Sequence, residues 1–258
     1  MSQKLIVFDI DGTLITDDHI LLEETRQAIQ TLKQKGHMVM VATGRSLPIA
    51  VDVLEEADIQ DSILSNGAVA FVDGDQIFGN ALDEKALEKL VKISDEEKID
   101  LVFNGLTETK MRNEDFQAET KLAMESFGED MPEIDRDFHK REQVYQIVAL
   151  LSEEKMPAYE GKFPEFRFVR WHEYGIDVLP NNGSKAETLK HVANKYGFER
   201  EDIVAFGDGN NDMEMLAYVG VGIAMENAKE ELKAVSDFVT LSNNDGGICH
   251  GLKEYGLI

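Results

Sequence analysis

A doubly wound α/β sheet interrupted by a smaller α+β insertion is the fold this sequence predicts, on three observations. Short, continuously apolar runs end in polar, Gly-containing turns, amphipathic stretches follow those runs, and the rhythm breaks between about residues 80 and 181 before resuming. Leu5-Ile6-Val7-Phe8 is the first run and reads as a strand buried on both faces of a parallel sheet. Leu21 to Lys35 then places Leu22, Ala28, Ile29 and Leu32 near one helical face, with Gly36 as the stop. Met38 to Ala42 is again apolar and rich in valine, and leads through Thr43-Gly44-Arg45 into a helix over Pro48 to Glu56. The far end repeats this alternation. It has a helix over Ser184 to Tyr196, a strand over Ile203 to Phe206 and a helix over Asp212 to Tyr218. Val221 to Ala224 follows as a strand, Ala228 to Val235 as a helix, Phe238 to Thr240 as a strand, and a short helix comes after Gly246.

Between these blocks the period changes. Ala68 to Phe78 reads as a hairpin turning at Asp73-Gly74, and Glu84 to Ile93 as a helix. Leu101 to Phe103, Gln146 to Leu151, Phe166 to Trp171 and Ile176 to Leu179 read as strands. Helical pieces fall near Phe116 to Phe127 and over Glu153 to Phe163. The expected organisation is a Rossmann-like core built from residues 1–79 and 182–258, with residues 80–181 inserted as an α+β domain.

Composition limits the partners. With 50 acidic and 26 basic side chains the formal charge is -24, so nucleic-acid backbones and anionic membrane surfaces are repelled and neither is an expected partner. A hydrophobic share of 43% with only 5 Pro fits a globular chain. The single Cys249 cannot form an internal disulfide, and the apolar run after Lys4 is too short for a signal peptide or a membrane span. The expected compartment is therefore the cytoplasm, with a homodimer left open.

Parallel strands bring whatever follows them to one edge, and four polar motifs here follow strands or open helices. Asp9-Ile10-Asp11-Gly12-Thr13 comes first. If strand alternation continues, Asp9 and Asp11 project to the same side, with a mutual repulsion of about 4 kcal/mol at ~4 Å and an effective dielectric of ~20. Either one carboxyl stays protonated, as suits a general acid, or a cation sits between them. Thr43-Gly44-Arg45 offers a hydroxyl and an unobstructed amide to an anion. Lys185 stands in the first turn of a helix, fixed there by a Ser184/Glu187 capping-box pattern. A cation there opposes the helix dipole and needs another reason to exist. Gly207-Asp208-Gly209-Asn210-Asn211-Asp212 adds two more carboxylates. Four acids with oxygen donors and an open site point to Mg2+ as the neutralising ion. Singly, these motifs read as strand-end turns, a surface lysine or a weak Ca2+ loop. Their joint occurrence, in this order and at these strand ends, is what points to chemistry.

The four motifs resemble the signatures of the haloacid dehalogenase (HAD) superfamily. Ser65-Asn66-Gly67-Ala68 and Ala224-Met225-Glu226-Asn227-Ala228, with the long insertion, resemble its Cof-type branch with an α/β cap (subclass IIB). Glu226 stands where Gly is frequent, and Ala186 where Gly often follows the lysine. The resemblance implies a phosphatase of small phosphorylated metabolites, sugar phosphates foremost. Asp9 would be the nucleophile that forms an aspartyl-phosphate, and Asp11 the acid and then the base. Thr43, Gly44, Arg45, Asn211 and Lys185 would bind the phosphoryl group. Mg2+ would be held by Asp9, the Asp11 main-chain oxygen and Asp208, with Asp212 either a direct ligand, a ligand through water, or paired with Lys185 instead. The cap would choose the substrate. The alternatives are a sugar phosphomutase, a phospho-accepting signalling receiver, which would lack an acid at position 11, and a binding protein without turnover. Met213 and Met215 read as core filling, Cys249 as a buried thiol, and His139-Lys140-Arg141 as a solvated loop. Trp171 and His172 are expected on opposite sheet faces, and Asn66-Gly67 reads as a turn, with substrate contact as the lesser alternative.

Overall fold

The computed structural model describes residues 3–114, 117–126 and 131–258, which separate into two compact units. In chain order the strands are β1 Leu5–Phe8, β2 Met38–Ala42, β3 Asp61–Leu64, β4 Val69–Val72, β5 Asp75–Gly79, β6 Asp100–Asn104 and β7 Thr109–Met111. They continue as β8 Gln146–Leu150, β9 Phe166–His172, β10 Gly175–Pro180, β11 Ile203–Gly207, β12 Val221–Ala224 and β13 Phe238–Val239. The helices are α1 Glu23–Gln34, α2 Leu47–Glu56, α3 Glu84–Glu97, α4 Ala118–Ser126, α5 Lys185–Tyr196, α6 Met213–Tyr218, α7 Glu230–Lys233 and α8 Gly247–Glu254.

The first unit takes the chain up to Arg45, Ile49–Phe78 and Ser184–Ile258. Its sheet runs β13-β12-β11-β1-β2-β3-β4-β5, parallel from β13 to β3 and then reversing into the hairpin turned at Asp73-Gly74. All four residues of β1 are fully buried, as their unbroken apolar run predicts. Leu5 and Val7 pack with Met40, Ala205 and the α5 residues Leu189 and Val192 on one face. On the other face Gly251 of α8 lies so close to the Phe206 ring that a Cβ there would meet it at 2.7 Å. No helix among the described residues is long and apolar enough to cross a membrane.

The second unit takes Ser46–Pro48 and the described residues of Gly79–Gly183. Its five-stranded sheet runs β7-β6-β8-β10-β9 and is antiparallel throughout. Leu101, Phe103, Ile147, Ala149 and Val178 on one face pack on Leu87, Leu90 and Val91 of α3. Trp171 lies against Gly175, and His172 accepts the Tyr174 N–H through Nδ1.

Several expectations need correcting. The helix expected over Glu153 to Phe163 is only a 3-10 segment, Glu153–Ala158, which contains Pro157 and precedes Gly161 at φ +68°. His139-Lys140-Arg141 is solvated at Lys140 and Arg141, as expected, but not at His139, which is half-buried. Phe138–Lys140 forms a 3-10 turn in which Phe138 is core and the His139 ring lies 5.1 Å from that of Phe103. The helix after Ala228 and the strand after Phe238 shrink to Glu230–Lys233 and Phe238–Val239. Strands β3 and β7 were not foreseen because DSIL and TKM carry too many polar residues to stand out. The helical piece near Phe116 to Phe127 is α4, with both named ends outside the described residues.

Candidate active site

The strand register assembles the site. Phe8 pairs with Phe206 on one side and with Val41 on the other, so Asp9, Asp208 and Thr43 emerge together at the carboxyl edge of the sheet. Asp9 continues the strand for one residue, with its N–H donating to the Phe206 carbonyl at 3.1 Å. The chain then leaves the sheet in a wide turn over Ile10–Leu14, with Gly12 at φ +71°. Glycine is required there twice over: the left-handed backbone suits it, and a Cβ would lie 2.4 Å from an Asp208 carboxylate oxygen.

Lys185 accounts for its own position. Its ammonium, fully buried, donates to Asp9 Oδ1 at 2.6 Å and to Asp212 Oδ1 at 2.7 Å, so two carboxylates offset the adverse helix dipole. Ser184 caps α5 by accepting the Glu187 N–H at 3.2 Å. The Glu187 carboxylate bonds Lys190 instead, leaving the capping box half made. The second oxygen of Asp212 accepts the N–H groups of Asp208 and Gly209 at 3.1 and 2.9 Å. Asp212 is thus a partner of Lys185 with both oxygens engaged.

Asp9, Asp208 and Asp212 each bring a carboxylate oxygen within 4.8 Å of the others. Three acids face one ammonium. Burial, with repulsion from Asp212, pushes Asp208 up to about 7, although the Thr13 hydroxyl donates to it at 2.8 Å. Burial also raises Asp9 well above the usual carboxylate range, against the pull of Lys185 and with repulsion from Asp212 and Asp208. Desolvation works against the Lys185 charge, but Asp212 and Asp9 overrule it and hold the ammonium above its ordinary value. A hard divalent cation fits this set, because oxygen donors with two unbalanced negative charges need two positive ones.

Strand alternation predicts that Asp9 and Asp11 share one space, and the structure separates them. The turn at Ile10 swings Asp11 outward. Its half-exposed carboxylate takes Arg45 Nε at 3.0 Å and Nη2 at 2.6 Å, a two-pronged pair, and stands outside the buried acid cluster. The crowding expected between Asp9 and Asp11 falls instead on Asp9, Asp208 and Asp212. Arg45, read as an anion binder, is here the partner of Asp11.

Thr43 is buried, and its hydroxyl accepts the Arg45 N–H at 3.1 Å. Asn66, read from the sequence as a turn residue, is buried at the site, and its Oδ1 accepts from Asn211 Nδ2 at 2.9 Å. Thr13, within the first motif, donates its hydroxyl to Asp208, a bond that residue spacing does not signal. Farther out, Asn227 donates to the Gly12 carbonyl at 2.8 Å and accepts the Asn243 N–H at 3.1 Å, bracing the Asp11 turn. Cys249 is buried away from this constellation, its thiol directed at the Glu24 carbonyl.

A family model described as haloacid dehalogenase-like hydrolase matches residues 6–252. The chain belongs to that family. It is 41% identical, over 261 residues and the full length of both chains, to a Bacillus subtilis (strain 168) protein named "Putative phosphatase YkrA". It is 29% identical over 267 residues to the 5-amino-6-(5-phospho-D-ribitylamino)uracil phosphatase YitU of the same organism, covering 97% of each. The structure of BT4131, titled a HAD subclass IIB sugar phosphatase, superposes with a TM-score of 0.86 at 25% identity, covering 99% of this chain and 100% of that one. The resemblance drawn from four short motifs therefore extends over the whole hydrolase fold.

Proposed function

We propose that this hydrolase is a Mg2+-dependent phosphatase of small phosphorylated metabolites, with sugar phosphates as the leading class, working through an aspartyl-phosphate on Asp9. The observation that carries the reading is the convergence of Asp9 and Asp212 on the buried ammonium of Lys185, with an Asp208 carboxylate oxygen within 4.8 Å of theirs. Asp9 Oδ1 is held by Lys185, which leaves Oδ2 to attack phosphorus. Two of the three Lys185 hydrogens are engaged, and the third is available to a phosphoryl oxygen beside Thr43, Gly44 and Asn211. Asp11 enters this step as an acid, so its carboxylate must exchange the two-pronged Arg45 pair for a proton; as the Oδ2–P bond forms and the ester P–O bond breaks, it passes that proton to the departing alkoxide. Ionised Asp11 then takes a proton from the water that attacks phosphorus and frees Asp9. Asp9, Asp208 and the Asp11 main-chain oxygen would hold Mg2+, which supplies Lewis-acid neutralisation of the phosphoryl charge.

The names of YitU and BT4131 support a phosphorylated polyol or sugar as substrate. Residues 80–181, as an inserted cap, would set which ester is accepted, and the single cysteine supports a cytoplasmic setting. Orthophosphate release from an aryl phosphate and a panel of sugar phosphates, with Mg2+ and with chelator, tests the reading. Turnover is expected only with the metal. Asp9→Asn and Asp11→Asn are each expected to lose about three or more orders of magnitude in kcat, and Cys249→Ser to lose little. Retained turnover in Asp9→Asn would refute the covalent route.

A further inference from the structure

Three consecutive residues beside the site have left-handed backbones: Ser65 at φ +50°, Asn66 at +55° and Gly67 at +98°. Only the third is glycine, so the first two hold a conformation that L-residues resist, and such strain persists where the surroundings over-determine it. Here they do. The Ser65 N–H donates to the Arg45 carbonyl at 2.8 Å and the Asn66 N–H to the Thr43 carbonyl at 3.0 Å. A Cβ on Gly67 would lie 2.3 Å from the Ser184 carbonyl, and the Thr188 hydroxyl donates to the Gly67 carbonyl at 2.5 Å. The loop therefore ties the Thr43-Gly44-Arg45 turn to the start of the Lys185 helix.

Glycine would meet the backbone demand at position 66 with no side-chain penalty, so asparagine needs a reason in its amide. Its Oδ1 accepts from Asn211 Nδ2 at 2.9 Å. Both ends of the same amide lie 3.2 Å from where a Gly44 Cβ would be, so the amide takes the space that a side chain at position 44 would need. The Asn211 carboxamide is thereby set between two neighbours, since its Oδ1 lies 2.6 Å from where a Gly209 Cβ would be. Asn211 Nδ2 carries two hydrogens. Asn66 takes one, which fixes where the other points.

We infer that Asn66 is a positioning residue that fixes the Asn211 carboxamide for a phosphoryl oxygen and joins it to the Thr43-Gly44-Arg45 clasp. The inference rests on the phosphatase reading and adds to it a residue that acts through another. Asn66→Gly tests it, because that variant keeps the left-handed backbone while removing the amide. Asn66→Gly, Asn211→Ala and the double variant are compared by kcat/KM on an aryl phosphate, by inhibition with orthophosphate and by melting temperature. Asn66→Gly is expected to melt no lower than wild type, to lose about ten- to a hundredfold in kcat/KM, and to bind orthophosphate correspondingly more weakly. The double variant is expected to be no worse than Asn211→Ala alone, within about twofold. Full activity in Asn66→Gly, losses that multiply in the double variant, or a loss that tracks a lowered melting temperature would each overturn the inference and leave the phosphatase reading standing. A wild type that hydrolyses no ester would remove both.

Discussion

Lys185 shows how one buried residue organises the site. An ammonium with no exposed side-chain surface is tolerated only because it bridges Asp9 and Asp212, and removing it leaves two buried carboxylates beside Asp208 without the cation they share. Lys185→Met keeps most of the volume and removes the charge. It is expected to cost about 3–5 kcal/mol of stability in chelator, read from the denaturant midpoint, besides nearly all turnover. Midpoints equal to wild type would show that the acids are compensated in some other way. At this scale the sequence was informative about chemistry but not about geometry. Asp9, Lys185, Asp208 and Asp212 could be picked out by residue type and strand-end position. That Asp11 would swing out to Arg45 depends on a backbone change at Ile10 that period-two alternation cannot anticipate. The bond between Asn66 and Asn211 could not be read, because it joins side chains 145 positions apart.

Elements were legible where their period was unmixed. Strand β2 matches its predicted range, and β11 extends one residue past its own, because β-branched and apolar runs bounded by Gly or Thr have one reading in a parallel sheet. Short polar strands such as β3 and β7 form because partners on the sheet select them, and that selection leaves no local trace. The junction of α1 and β2 carries its own pH dependence. Buried His37 accepts the Lys4 N–H through Nδ1 at 3.0 Å, so the ring is neutral. Desolvation, with the Lys35 and Lys4 charges, holds it below its ordinary 6.5. A lowered folded value means that the unfolded chain takes up the proton first. The stability owed to neutral His37 is therefore complete above about 6.5 and declines as pH falls below it. The stability advantage of wild type over His37→Gln is expected to be largest at pH 7 and to shrink towards pH 5, as read by denaturant melts. An advantage that grows on acidification would contradict this burial argument.

On the scale of the whole molecule, a protein of formal charge -24 must attract an anionic ester. The global field opposes that encounter, and in the proposed mechanism binding would depend on the buried ammonium, the loop amides and a divalent ion acting at short range. Screening should therefore help. Raising NaCl from about 10 to about 150 mM, at saturating Mg2+, is expected to raise kcat/KM for a dianionic ester by about two- to tenfold. A fall would mean that a local cationic field governs the approach. Covalent chemistry at Asp9 is read most directly by rapid acid quench of enzyme turning over an aryl phosphate, followed by peptide mass mapping. One phosphoryl group on the peptide carrying Asp9, present with Mg2+ and absent with chelator, is the predicted result. Steady orthophosphate release with that peptide unmodified, or with the phosphoryl group on a different residue, would contradict the account.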